Sequence, residues 1–153
     1  MKTRRHSGFT LIELLVTVMI ISILVGLAVP LARNSIKREK EFALRAALRE
    51  IRTALDKYKD ASDRGFIMMK IDTEGYPETL QILVDGVDAV GQVNKKLKFL
   101  RRVPIDPMTK SAEWGQRSYQ DDPKSTSWGG QNVFDVYTKS EGIALDGTKY
   151  SEW

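Results

Sequence analysis

The chain has 153 residues, of which 42% are apolar and 29% charged, and it contains no cysteine. One domain with an appendage suits that length, and the apolar share excludes wholesale disorder. Without thiols there are no disulfide staples, cysteine zinc sites or thiol chemistry, and the single histidine, His6, lies in a charged leader, away from any body that would need a catalytic triad or histidine metal cluster.

The net charge of +4 is unevenly spread. Residues 1–8 hold Lys2, Arg4 and Arg5 and no acid. Residues 33–64 carry ten Lys/Arg against six Asp/Glu, and residues 103–153 carry five against eight. The basic excess is modest and lies close to an apolar segment, where anionic lipid or a neighbouring subunit explains it equally well, so no nucleic-acid partner is expected.

Residues 9–32 read FTLIELLVTVMIISILVGLAVPLA, with Glu13 the only charge. About 20 apolar residues in a helix cross a bilayer core, so the segment is expected to be transmembrane. The basic leader stays cytoplasmic and the C-terminal body lies outside. A secretory signal peptide would have a shorter apolar region, of ~7–15 residues, and a small-residue cleavage site, which is missing after Pro30. Glu13 is the oddity, because a carboxylate central in a membrane helix costs ~2.5–3.5 kcal/mol, and less near an end. Two readings stand: the carboxylate reaches the headgroup layer, or it pairs with a positive group in an assembly, such as the α-amino terminus of a cleaved neighbour.

Gly8-Phe9-Thr10-Leu11-Ile12-Glu13-Leu14-Leu15 behind a short basic leader resembles the class III signal of type IV pilins and type II secretion pseudopilins. That resemblance implies cleavage between Gly8 and Phe9 by a prepilin peptidase and methylation of the Phe9 amine. It also implies that Glu13 balances that amine in the neighbouring subunit. Pro30 falls where such helices commonly kink. Its physics agrees, since a mid-helix proline loses one backbone bond, and Gly26 is a second weak point.

From Ile36 to Tyr58, Leu44, Leu48, Ile51, Leu55 and Tyr58 form one apolar stripe at helical spacing. The opposite basic stripe, Lys37, Arg38, Lys40, Arg45, Arg49, Arg52 and Lys59, reads as a solvated face. Glu41 and Arg45 make a favourable i,i+4 pair, and Asp56 and Asp60 an unfavourable one. One helix is thus expected from residue 9 to about 61, kinked near Pro30. Gly65 and Gly75 bracket a loop in which Phe66, Met68 and Met69 read as core filler. A short helix near 77–90 follows, with Leu80, Leu83, Val84 and Val87 buried.

The last third reads as strands and turns. Lys98–Val103 leads to Pro104, and Tyr119 lies near a short strand. Asn132–Thr138 alternates, with Val133, Asp135 and Tyr137 on one side and Phe134 and Val136 on the other. Lys149–Trp153 forms a last strand. The fold class is α+β, a long helix on a small antiparallel sheet of about three strands. The expected domains are a cleaved leader 1–8, a transmembrane and assembly helix 9–32, and a soluble domain 33–153.

FLRRVPIDPMT, EWGQRSYQDDP, WGGQNVFDVYT and LDGTKYSEW resemble the C-terminal region of major pseudopilins (GspG-type) of type II secretion systems. Relatives of that kind often hold an acidic calcium loop near the end, but here only Glu141, Asp146 and Glu152 are acidic after Val136. Calcium takes 6–8 oxygens, usually with several carboxylates, so no cofactor is expected, and a weak calcium site near Asp146 is the disfavoured alternative. No catalytic motif is present; Asp106 and Asp135 carry no supporting signal for glycoside chemistry, and Trp114, Trp128 and Trp153 read as packing. Asp121 and Asp122 read as a solvated turn.

Taken with the resemblance, the expected protein is not an enzyme. It is a subunit that self-assembles into a helical periplasmic pseudopilus driving protein export. The implied partners are identical subunits, minor pseudopilins, the prepilin peptidase, and the inner-membrane assembly platform with its ATPase. In an assembly the basic helix segment would meet the acidic C-terminal region of the next subunit. The alternatives are a type IV pilus pilin and a membrane-anchored binding domain with an uncleaved anchor.

Overall fold

The computed structural model describes residues 8–92 and 95–153. The expected leader thus lies, apart from Gly8, outside the described residues. The chain divides into two compact units, 1–38 and 39–153. Helix α1 runs over Leu11–Asp63, close to the expected span, and is not terminated at Gly26 or Pro30.

From Leu11 to Val25 the helix exposes apolar side chains all round, with Glu13 the one charge among them. Two hydroxyls within this stretch turn inward on the helix backbone. Thr17 Oγ1 donates to Leu14 O and Ser22 Oγ to Val18 O, both at 2.8 Å. A hydroxyl satisfied this way makes no demand on its surroundings. Among the described residues no helix is long and apolar enough to cross a membrane. The expected span 9–32 includes side chains, at 27 and 29–31, that lie outside them.

The second unit is built on the later turns of α1. Its stripe of Leu44, Leu48, Ile51, Leu55 and Tyr58 is buried as expected, with Ala47, Ala54 and Ala61 letting other segments approach the helix closely. After Gly65, in the left-handed region at φ 71°, the chain turns and runs extended. There the expectation for Phe66, Met68 and Met69 fails. Ile67 inserts into the core and bridges Ala89, and the period of two in extended backbone then points Phe66 and Met68 outward. Met69 is exposed as well, and Ile71 is 90% exposed.

Helix α2 covers Leu80–Asp85, shorter than the expected 77–90. The Pro77 carbonyl is taken by the Val133 N–H at 2.7 Å, and Gly86, at φ 84°, ends the helix. A Cβ on Gly86 would sit 2.9 Å from the Leu97 carbonyl oxygen, so the close approach of the next strand also requires glycine there. Leu80 and Leu83 are buried, while Val84 and Val87 pack at the core's edge.

The strands form two two-stranded antiparallel sheets, not one sheet of about three. In the first, β1 (Val87–Asp88) pairs with β2 (Lys96–Leu97), with Val87 opposite Leu97. In the second, β3 (Gly115–Arg117) pairs with β4 (Asp135–Tyr137), with Gly115 opposite Tyr137. Lys98–Val103 is not a strand. Phe99 and Leu100 instead donate both of their N–H groups to the Leu83 carbonyl at 2.9 Å. Nor does Lys149–Trp153 form one. Lys149 makes an isolated bridge to Ile143, and Tyr150–Glu152 is a 3₁₀ turn.

The alternation expected over 132–138 is also broken. Val133, Val136 and Tyr137 are all buried, because Val136 faces the core while the Tyr137 ring is covered by the Arg117 guanidinium, 4.1 Å from its centroid. Phe134 stays partly exposed, edge-on to Tyr76 and Tyr119 at 5.2 and 5.3 Å.

Candidate functional site

The start of α1 gathers Gly8, Phe9 and Glu13. Gly8 and Phe9 precede the helix and are exposed, so the bond between them is accessible. A Cβ on Gly8 would meet nothing within 4 Å, so packing within this chain does not demand glycine there. Thr10 caps the helix. Its Oγ1 accepts the Glu13 N–H at 3.3 Å, and its carbonyl accepts the Leu14 N–H at 3.2 Å. This pairing was legible in the sequence as T-x-x-E, the signature in which a threonine cap is followed three residues later by glutamate, and the sequence reading missed it.

Glu13 sits in the first turn, where the four unsatisfied N–H groups and the helix dipole favour negative charge. It forms no ion pair among the described residues. Around it lie Phe9, just before the helix, and on the helix Leu11, Ile12, Leu14, Leu15 and the apolar residues up to Val25, all exposed. A helix apolar all round is stable only when lipid or other apolar helices cover it.

The basic stripe on the later turns is not wholly a solvated face. Arg52 reaches Asp135, and Arg45 lies 3.6 Å from Asp146 and stacks over Trp153. Glu41 does not pair with Arg45; its Oε1 accepts the Leu145 N–H and the Tyr150 hydroxyl, each at 2.9 Å. Asp60 is relieved by Arg64 at 2.8 Å. Part of the attraction expected between the basic helix and the acidic C-terminal region is thus made within one chain.

The acids considered for catalysis have structural partners. Asp106, fully buried, accepts the Met108 N–H at 2.8 Å and the Thr138 hydroxyl. Asp135 is held between Arg52 and Arg117. Asp121 is more than a solvated turn residue. Its Oδ2 accepts the N–H of Ser118 at 2.7 Å and of Gly129 at 3.0 Å, and these bonds lower its pKa. Trp114 is buried and donates to the Pro104 carbonyl at 2.9 Å; Trp128 donates to Asn132 O and Trp153 to Thr148 Oγ1.

Both carboxylate oxygens of Asp146 have partners within the chain. Oδ1 accepts the Thr148 N–H at 2.9 Å and its hydroxyl at 2.6 Å, while Oδ2 faces the Arg45 guanidinium. Among the described residues no three acidic or histidine side chains converge on a common point.

An uncovered apolar helix, preceded by an accessible Gly8–Phe9 junction and carrying a lone acid in its first turn, is the arrangement of type IV pilin-like proteins. Residues 3–29 match the family model for the prokaryotic N-terminal methylation motif. The chain is 32% identical over 143 residues to the type II secretion system core protein G of Pseudomonas aeruginosa PAO1, covering 90% of this chain and 85% of that one. It is 34% identical to the protein of the same name from Aeromonas hydrophila, over 70% of this chain and 71% of that one. It is 33% identical to that of Escherichia coli K12, over 69% and 68%. The chain belongs to the type II secretion system core protein G family. No solved structure matches it.

Proposed function

We propose that the chain is a structural, non-enzymatic subunit that self-assembles into a helical periplasmic pseudopilus driving protein export by a type II secretion system. The observation that carries this reading is the bare apolar first half of α1 with Glu13 at its capped start. Fully burying one Leu, Ile or Val side chain contributes roughly 1.5–3 kcal/mol, so the eleven exposed between Leu11 and Val25 supply ample drive to enter lipid or a bundle of like helices. Bundling alone leaves Glu13 without a counter-charge. The Phe9 amine of a neighbour, exposed by cleavage after Gly8, supplies one.

On this reading the precursor crosses the inner membrane once, N-terminus in the cytoplasm and residues 33–153 in the periplasm. The prepilin peptidase cuts between Gly8 and Phe9 and the Phe9 amine is methylated. The assembly platform and its ATPase then lift the subunit into the filament beside identical copies and minor pseudopilins. Gly26 and Pro30 form the kink that lets the helix adapt between lipid and filament.

The test is intact-mass analysis of protein from the native membrane together with filament assembly by Glu13→Ala. A methylated Phe9 start, and a variant that is cut but does not assemble, are the expected results. A retained Met1 start, or normal filaments from the variant, would overturn the reading.

A further inference from the structure

Three side chains of α1 converge on the segment 144–153. Their positions, 41, 45 and 52, lie four and seven residues apart and share one helix face. Glu41 takes the Leu145 N–H and the Tyr150 hydroxyl. Arg52 donates from Nη2 to the Trp153 backbone oxygen at 2.9 Å and to the Val136 carbonyl at 3.1 Å. Between them the Arg45 guanidinium lies 4.0 Å from the centre of the Trp153 ring and 3.6 Å from Asp146 Oδ2. The ring is fixed in turn, since Trp153 Nε1 donates to Thr148 Oγ1 at 2.7 Å and the ring packs edge-on to Tyr150 at 5.2 Å.

We propose that Arg45 is the resident cation of this loop, held on the outer oxygen of Asp146 where a divalent ion would otherwise bind, so that the C-terminal segment is ordered without calcium. The geometry supports this from both sides of the carboxylate. Oδ1 is spent on Thr148. Oδ2 faces a delocalised charge that also stacks on an indole, an attraction a hard, oxygen-seeking ion does not share. A divalent cation on Oδ2 would have to displace the guanidinium or bear its repulsion at close range. Glu41, the other nearby acid, has its Oε1 committed to Tyr150 and Leu145. The loop's order then comes from helix side chains, and it is set by ionic strength more than by metal.

The experiment uses the full-length chain in detergent micelles, with calcium chloride as the probe and magnesium chloride at equal concentration as the ionic-strength control. Thermal melting is followed in EDTA and in each salt. Millimolar calcium on a site it saturates a hundredfold would raise Tm by several degrees. The expected result is the same Tm in calcium as in magnesium. A rise of several degrees specific to calcium overturns the proposal.

A second arm uses Arg45→Glu, which removes the cation and offers oxygen donors in its place. Its Tm should fall in EDTA and rise again with calcium. A variant that melts like the wild type and ignores calcium overturns the proposal. Should Arg45→Glu fail to fold, Arg45→Gln replaces it and should melt below the wild type in every buffer; an equal Tm overturns the proposal.

Discussion

Arg52 on α1 and Asp135 on β4 are 83 residues apart in the chain, yet Nε and Oδ1 meet at 2.7 Å. That contact ties the helix to the second sheet and organises what surrounds it. The same guanidinium donates to the Val136 and Trp153 backbone oxygens, and Asp135 also faces Arg117, whose side chain is only 9% exposed.

Arg52→Ala removes donors from three acceptors and leaves Asp135 to Arg117 alone. Because the Arg52 and Asp135 side chains keep 38% and 26% of their exposure, water recovers part of the loss. The expected cost is about 2 kcal/mol, less than for a fully buried pair. The denaturant midpoint should fall with the m-value unchanged. Arg52→Lys should recover only a minor part, because an ammonium cannot reproduce the fork that reaches a carboxylate and two carbonyls together.

Gly115→Ala tests the second sheet. A Cβ there would sit 2.3 Å from Cζ of Tyr137 and 2.4 and 2.6 Å from the ring atoms beside it. The ring cannot swing aside freely. Its hydroxyl donates to the Thr126 carbonyl at 3.1 Å, and Arg117 covers its face. Forced overpacking of this kind costs typically ~1–3 kcal/mol. The double variant Gly115→Ala with Tyr137→Leu should lose less than the two single losses added together, measured by chemical unfolding, because the smaller side chain relieves the clash.

The helical part of this protein was readable because its signal is long. Five apolar residues at steps of four and three can only make one face, and all five are buried. The sheets were not readable for the opposite reason. Strands of two and three residues show no period, and what positions them is long-range. The Val133 N–H finds Pro77, and Phe99 finds Leu83. Phe66, Met68 and Met69 misled because their composition is that of a core, whereas the extended backbone after Gly65 admits only Ile67. At the N-terminus the Thr10 cap went unread, although T-x-x-E stands in the sequence.

Two opposite pH limbs follow from the C-terminal loops. Burial, followed by the hydrogen bond to Glu41, pushes the Tyr150 phenol up to about 12. A phenol raised above its unfolded value of about 10 contributes stability that is intact below pH ~10 and is lost as pH climbs toward 12. Phenolate absorbance should show one tyrosine ionising last, and Tyr150→Phe should remove that late step. Asp146 is shifted the other way, lowered chiefly by the Thr148 hydroxyl and then its N–H, and Asp121 is lowered by the Ser118 and Gly129 N–H groups. Their contribution is present above pH ~4 and fades as pH falls through their folded values. Amide signals of Thr148 and Ser118 should therefore move only at acid pH, and Asp121→Asn should abolish the Ser118 response while sparing Thr148.

The helix start offers the last prediction. Thr10 supplies a side-chain acceptor to the Glu13 N–H, one of the four N–H groups that α1 cannot satisfy from its own backbone. Thr10→Val keeps the shape and removes the acceptor, at an expected cost of about 1 kcal/mol confined to the first turn. In micelles, hydrogen exchange at the amides of 12–14 should quicken severalfold while exchange in the 44–58 core stays unchanged, since those turns are held by tertiary packing and not by the cap. Thr10→Ser, which restores the oxygen, should return exchange to the wild-type rate. Uniform quickening along α1 would instead mean that the first turn and the core open together, and that the cap governs more of the helix than its own first turn.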